Sequence, residues 1–269
     1  MAGIGGERGQ RGIAAIPLGG VGVGWSVALA VAAGLWLLTI GQARGMGVGP
    51  GTMGMALPLF VGTWVAMMGA MMLPSMAPAT ILSATAPTAA PVASRTAQVA
   101  AHVAGFFLPW AAYGLAAFAA LRGIEHLVDA SPGVAKWLGV AIFAAAGAYQ
   151  LSPWKHACMD HCRMRMPGAA DGVGRALATG VRHGVYCVGC CWALMTVLFA
   201  VGIMNVPAMI GLTAVIFLEK LWARGPLLAR AAGVAFLVMA VVAAVHPSVL
   251  GGLQPADMAM QTAAMHGGM

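Results

Sequence analysis

With 269 residues the chain has room for one or two soluble domains. An apolar fraction of 61%, only 8% charged residues and a mean hydropathy of +0.87 exclude that use of the length, because soluble domains are about half apolar and a quarter charged. The formal net charge of +7 comes without a basic stripe interleaved with aromatics, so it fits loops against an anionic lipid surface and no nucleic-acid partner.

In chain order, residues 1–20 are Gly-rich and flexible, with Arg8 and Arg11. A first apolar run at about 21–41 is longer than a signal-peptide core, although Ala43 is small, and is expected to be a retained helix. The Met-dotted connection 42–56 leads to a second span at 57–83 that carries Met67, Met68, Met71, Met72 and Met76 and is interrupted by Pro74 and Pro78. Further spans are expected at about 100–121, 134–151, 184–205, 207–218 and 226–245, each read against the roughly 20 apolar residues that a crossing needs. The fold class is therefore all-α, a polytopic transmembrane bundle of six to seven helices over 21–246, with a polar loop at 152–183 and a flexible Met/His-containing tail at 247–269.

Charge placement orients this bundle. With the N-terminus cytoplasmic, eleven Lys and Arg residues fall inside and only Arg44, Arg122 and Lys136 outside, the bias that cytoplasmic loops show. Glu219 and Lys220 then read as a pair at the membrane surface.

The stretch from Tyr149 to Met195 holds all five cysteines, as Cys158 and Cys162, then Cys187, Cys190 and Cys191. Helical spacing puts Cys158 and Cys162 on one face if 156–163 is a helix, and Cys187, Cys190 and Cys191 on another. In a reducing compartment such clusters point to metal binding or redox chemistry before a structural disulfide. Packing is the competing reading, since free cysteine is a common small buried hydrophobe. The neighbours His156, His161, Asp160 and Met159 weigh against packing for the first pair.

Met68, Met72 and Met76 share a face of the second span, and Met67 and Met71 form the next stripe. Thioether and thiolate are the ligands that select Cu(I), and Pro74 removes a helix hydrogen bond where Met72 and Met76 lie, so irregular backbone lining a cavity is expected there. The candidate metal ligands are Cys158, Cys162, Cys187, Cys190, Cys191, His161, Met72 and Met76, for Cu(I) first and zinc or another transition metal second. Met46, Met53, Met55 and the tail with His266 offer soft collecting groups, whereas His102, His126 and His246 read as interfacial or capping residues. Neither paired carboxylates at catalytic spacing nor a phosphate-cradling loop is present in the sequence, so an enzyme is not the expected reading.

Three separated motifs carry a resemblance. They are Met68-Gly-Ala-Met71-Met72-Leu-Pro74-Ser75-Met76-Ala-Pro78, then Tyr149-Gln-Leu-Ser-Pro153-x-Lys155-x-x-Cys158-x-x-x-Cys162-Arg163, and then Gly184-x-Tyr186-Cys187-x-Gly-Cys190-Cys191-Trp192. From about residue 57 to 222 the chain resembles a bacterial family of uncharacterised integral membrane proteins described as predicted metal-binding. The resemblance implies a helical bundle with a metal site on the five cysteines and the Met-rich helix beside it.

The expected function is Cu(I) transport or delivery in a bacterial inner membrane, with the lipid bilayer and a metalloenzyme or metallochaperone as partners. Two alternatives remain: a membrane thiol–disulfide oxidoreductase using Cys187 and Cys190, whose thiols would be activated at a helix N-terminus, and a structural subunit stapled by its metal.

Overall fold

The computed structural model describes residues 18–45, 52, 54–85, 91–164 and 172–253. Most of the N-terminal segment, Met46, Met53, Arg165 and the tail from 254 onward, with Met258, Met260, Met265 and His266, lie outside the described residues.

The described residues form eight α-helices and no strand: α1 (Leu18–Gly45), α2 (Leu57–Thr85), α3 (Val92–Ala130), α4 (Pro132–Leu151), α5 (Pro153–Met164), α6 (Val173–Val201), α7 (Val206–Leu221) and α8 (Gly225–Val245). Six of them, α1, α2, α3, α4, α6 and α8, are long and apolar enough to cross a membrane. The all-α reading holds.

Several boundaries differ from the sequence reading, each for a local reason. The stretch 152–183 is mostly helical: it contains α5 and the first turns of α6. Its polarity follows from being the face of a short amphipathic helix and the polar start of a long one. Ser152 begins α5 by accepting a hydrogen bond from the Lys155 amide at 3.2 Å, with Pro153 in the first helical position, where its missing N–H costs nothing. Helix α3 runs on through Arg122, Glu125, His126 and Asp129, a charged final stretch that hydropathy alone reads as a loop.

Helix α2 continues through Pro74 and Pro78, so the irregular backbone expected at Pro74 does not form. The Ser75 hydroxyl donates back to the Met72 carbonyl at 2.9 Å, within the same turn. Helix α7, 16 residues long, is too short for a full crossing. It starts at Asn205, whose side chain accepts from the Ala208 amide, after Gly202 ends α6 at φ +106°, a conformation that glycine adopts without strain.

Packing divides into two regions. Helices α2, α3, α6 and α7 enclose a core rich in sulfur and aromatic rings, including Trp64, Trp110, Phe106, Met68, Met72, Cys187 and Met195. On the other side of α6 lies α4, which carries α8 packed against it, through small residues such as Ala146, Ala193, Ala240 and Ala243. Helices α3 and α6 touch backbone to backbone. A Cβ on Gly105 would lie 2.3 Å from the Leu177 carbonyl oxygen, one on Gly180 2.1 Å from that of His102, and one on Gly184 2.4 Å from that of Phe106. Gly180 and Gly184 are four residues apart, the small-residue spacing that lets apolar helices approach closely.

Candidate metal centre

Helix α5 lies against α6 through one face. Lys155, Cys158, Met159 and Cys162 follow the i, i+3, i+4, i+7 spacing of a single stripe; Lys155 and Met159 are fully buried and the two cysteines half-buried. Gly189 on α6 makes room for this contact: a Cβ there would stand 3.0 Å from Cys158 Sγ. Tyr149, at the end of α4, donates from its hydroxyl to the Gly189 carbonyl at 2.5 Å and so fixes the same turn of α6.

Cys187, Cys190 and Cys191 are all buried on α6 and all free thiols. Cys190 and Cys191 hold their sulfurs 3.2 Å apart, and Cys190 also donates to the Cys187 carbonyl. Cys187 Sγ lies 4.0 Å from Met72 Sδ on α2. Cys162 joins the group from α5, packed against the same core, and the neighbouring Cys187 is the main reason its thiol pKa is pushed up to about 11. The structure thus brings four of the five cysteines and Met72 into one cluster, with Cys158 beside it against Gly189. Met76, one turn further along α2, is buried but lines a cavity of about 640 Å³ between α1, α2 and α3. His161 is exposed, its ring stacked on Tyr186 at 4.8 Å. Among the described residues no three His, Cys, Asp or Glu side chains already stand as a metal-holding group. The thiols are engaged with one another, with helix backbone and with Lys220.

Lys220 is the residue that sequence reasoning missed. Instead of forming a surface pair, Glu219 and Lys220 are both buried and face different partners. Lys220 donates from Nζ to Cys187 Sγ at 3.0 Å and stands 4.0 Å from Met72 Sδ. Glu219 accepts from Gln150 at 2.7 Å and from Lys155 at 2.7 Å, while Lys155 donates also to the Cys190 carbonyl at 2.6 Å. Burial works against both ammonium charges. For Lys220 the neighbouring Cys162, Cys187, Cys191 and Cys190 override it and hold the pKa well above the ordinary lysine range; for Lys155 Glu219 does so first, with help from Cys191 and Cys190. Lys155 and Glu219 form a neutral pair that ties α5 to α7. Lys220 is left as a positive charge whose polar contacts are sulfur. Charged residues within an apolar stretch mark function by default, and that was the available signal: Lys155, Glu219 and Lys220 each interrupt or border a hydrophobic run.

Fold and site together define the class: an all-helical protein with six helices long and apolar enough to cross a membrane, enclosing a thiol–thioether cluster beside a buried ammonium. The family model described as copper chaperone, PpoB2, matches residues 61–243, a range that contains every residue of the cluster. The chain belongs to this copper-chaperone family. The match supports the metal-binding character that the three motifs imply. No curated protein and no solved structure matches the chain.

Proposed function

We propose that the protein is a multi-pass membrane protein that binds Cu(I) at its sulfur cluster and passes it to a metalloenzyme or metallochaperone partner. The observation that carries this reading is the convergence of α2, α5, α6 and α7 on Cys162, Cys187, Cys190, Cys191 and Met72, a donor set whose softness favours Cu(I).

Cysteine binds metal as thiolate, so an ion held by two or three of these sulfurs gives a group of net negative charge. In an interior of low dielectric that charge needs a counter-ion. Lys220 is already in place to supply it, donating to Cys187. Cys158 and Cys162 enter from a short helix that the Lys155–Glu219 pair anchors at its start, so rearrangement of its C-terminal turn, where Cys162 lies, adds or removes a ligand while the anchor holds. This is the handle for release. The N-terminus is cytoplasmic in this reading and the membrane is a bacterial inner membrane, which places α5 and its cysteines on the cytoplasmic side, where donor or acceptor proteins reach it.

The test is anaerobic Cu(I) titration of the full chain in mild detergent against a chromophoric chelator, with thiols counted on the same sample. Sulfur-ligated copper that protects the thiols, and that is lost in the Cys158→Ser/Cys162→Ser variant, supports the reading. Metal-free protein with oxidised, paired cysteines turns the assignment to thiol–disulfide exchange.

A further inference from the structure

We propose that His102 and His183 form a second Cu(I) site, a nitrogen waypoint one helical turn from the sulfur cluster, through which the ion passes to or from Cys187. The proposal rests on the copper-handling reading given above, and it adds two residues and a ligand class that reading does not use.

The glycine contact between α3 and α6 creates the site. With Gly180 and Gly184 pressed against the backbone of His102 and Phe106, His183 is held in the interface between the two helices. The rings of His102 and His183 lie with centroids 5.8 Å apart, and Phe106 meets His183 edge-on at 5.1 Å. His102 is 5% exposed. Its Nε2 is buried without a hydrogen-bond partner, and so is Nδ1 of His183.

Buried polar nitrogens are rarely left unpaired, and each exception asks for an explanation such as an ion. A metal-ligating histidine offers the ion a ring nitrogen that no other group occupies, and each of these two rings has one. Imidazole is a good copper ligand. A metal–imidazole bond is about 2 Å long, so an ion shared by two rings sets their nitrogens about 4 Å apart; a centroid separation of 5.8 Å leaves room for that. Packing alone accounts for the site less well, since two aliphatic side chains fill the same interface without leaving polar atoms unsatisfied.

Position links the pair to the cluster. His183 and Cys187 are four residues apart on α6, on one face and separated by about 6 Å of helix rise. Both histidines lie nearer than Cys187 to the N-terminal ends of α3 and α6, so an ion entering between those ends meets nitrogen before sulfur. The exchange moves one cation and no electrons. The imidazole lone pairs release Cu(I), and the Cys187 sulfur, held as thiolate by the Lys220 ammonium that donates to it, takes the ion, so no proton has to be placed on a histidine.

The experiment is a Cu(I) titration of the full chain in detergent under anaerobic conditions, read by copper per chain and by X-ray absorption at one and two equivalents. The expected result is two ions per chain, the first ligated by sulfur and the second by two nitrogens. His102→Gln and His183→Gln each remove the second equivalent and leave the first, while Cys187→Ser weakens the sulfur site and leaves the nitrogen one. Purely sulfur ligation of the unchanged protein at two equivalents overturns the proposal whether or not the variants fold, as does an unaltered titration in the double histidine variant. Copper on nitrogen alone, with no sulfur ligation, overturns the sulfur-site reading and keeps the histidine pair. No copper at either load overturns both.

Discussion

Glu219→Gln tests whether the Lys155–Glu219 pair is a structural tie or a surface decoration. The two side chains are 0% and 2% exposed and 2.7 Å apart, and Glu219 also accepts from Gln150. The substitution keeps size and removes charge, which leaves the Lys155 ammonium buried with neutral acceptors such as the Cys190 carbonyl and no counter-charge. Removing one partner of a buried pair costs about 3–5 kcal/mol, whereas replacing both by apolar groups of similar volume is often near neutral; an exposed pair is worth about 0–1 kcal/mol. Reversible unfolding in mixed detergent micelles, followed by far-UV circular dichroism, measures these costs for Glu219→Gln, Lys155→Met and a Lys155→Met/Glu219→Leu double variant. Each single change is expected to lose about 3–5 kcal/mol and the double variant to recover most of it. Single losses under about 1 kcal/mol that simply add in the double variant would refute the buried network and the anchoring of α5 with it.

Four further outcomes follow from the geometry. Lys220→Met should weaken Cu(I) binding about 10- to 100-fold, the equivalent of the roughly 1.5–3 kcal/mol of a hydrogen bond to a charged group, and Lys220→Arg should weaken it less; chelator competition reads both. Gly180→Ala should destabilise the bundle by at least the roughly 1–3 kcal/mol of overpacking, because the new Cβ would meet the His102 backbone at 2.1 Å. Gly211→Ala, which meets nothing within 4 Å, should stabilise by about 0.5–1 kcal/mol in the same unfolding assay. Gly189→Val should force Cys158 away from α6, lowering Cu(I) affinity more than it lowers stability; equal copper binding by this variant and the unchanged protein would remove Cys158 from the binding face.

The sequence by itself determined that the chain forms helices long and apolar enough to cross a membrane, and the stripes along them. Long apolar runs left helices as the economical solution, because every backbone group has to be satisfied internally where water is absent. Spacing placed Cys187, Cys190 and Cys191 on one face and Met72 and Met76 on another, since helical period is a local property. Tertiary structure decided which faces meet. Sequence spacing is silent on Met72 and Cys187, 115 positions apart, whose sulfurs stand 4.0 Å from one another. It is equally silent on Lys220 and Cys187, which meet because α7 returns to the end of the bundle where α5 lies. The adjacent Glu219 and Lys220 looked like a surface pair because charge is cheapest at the interface. Burial became possible when Lys155, Gln150 and Cys187 arrived from three other helices to take their hydrogen bonds. His102 and His183 were invisible as a pair for the same reason: only the glycine contact between α3 and α6 sets their rings side by side.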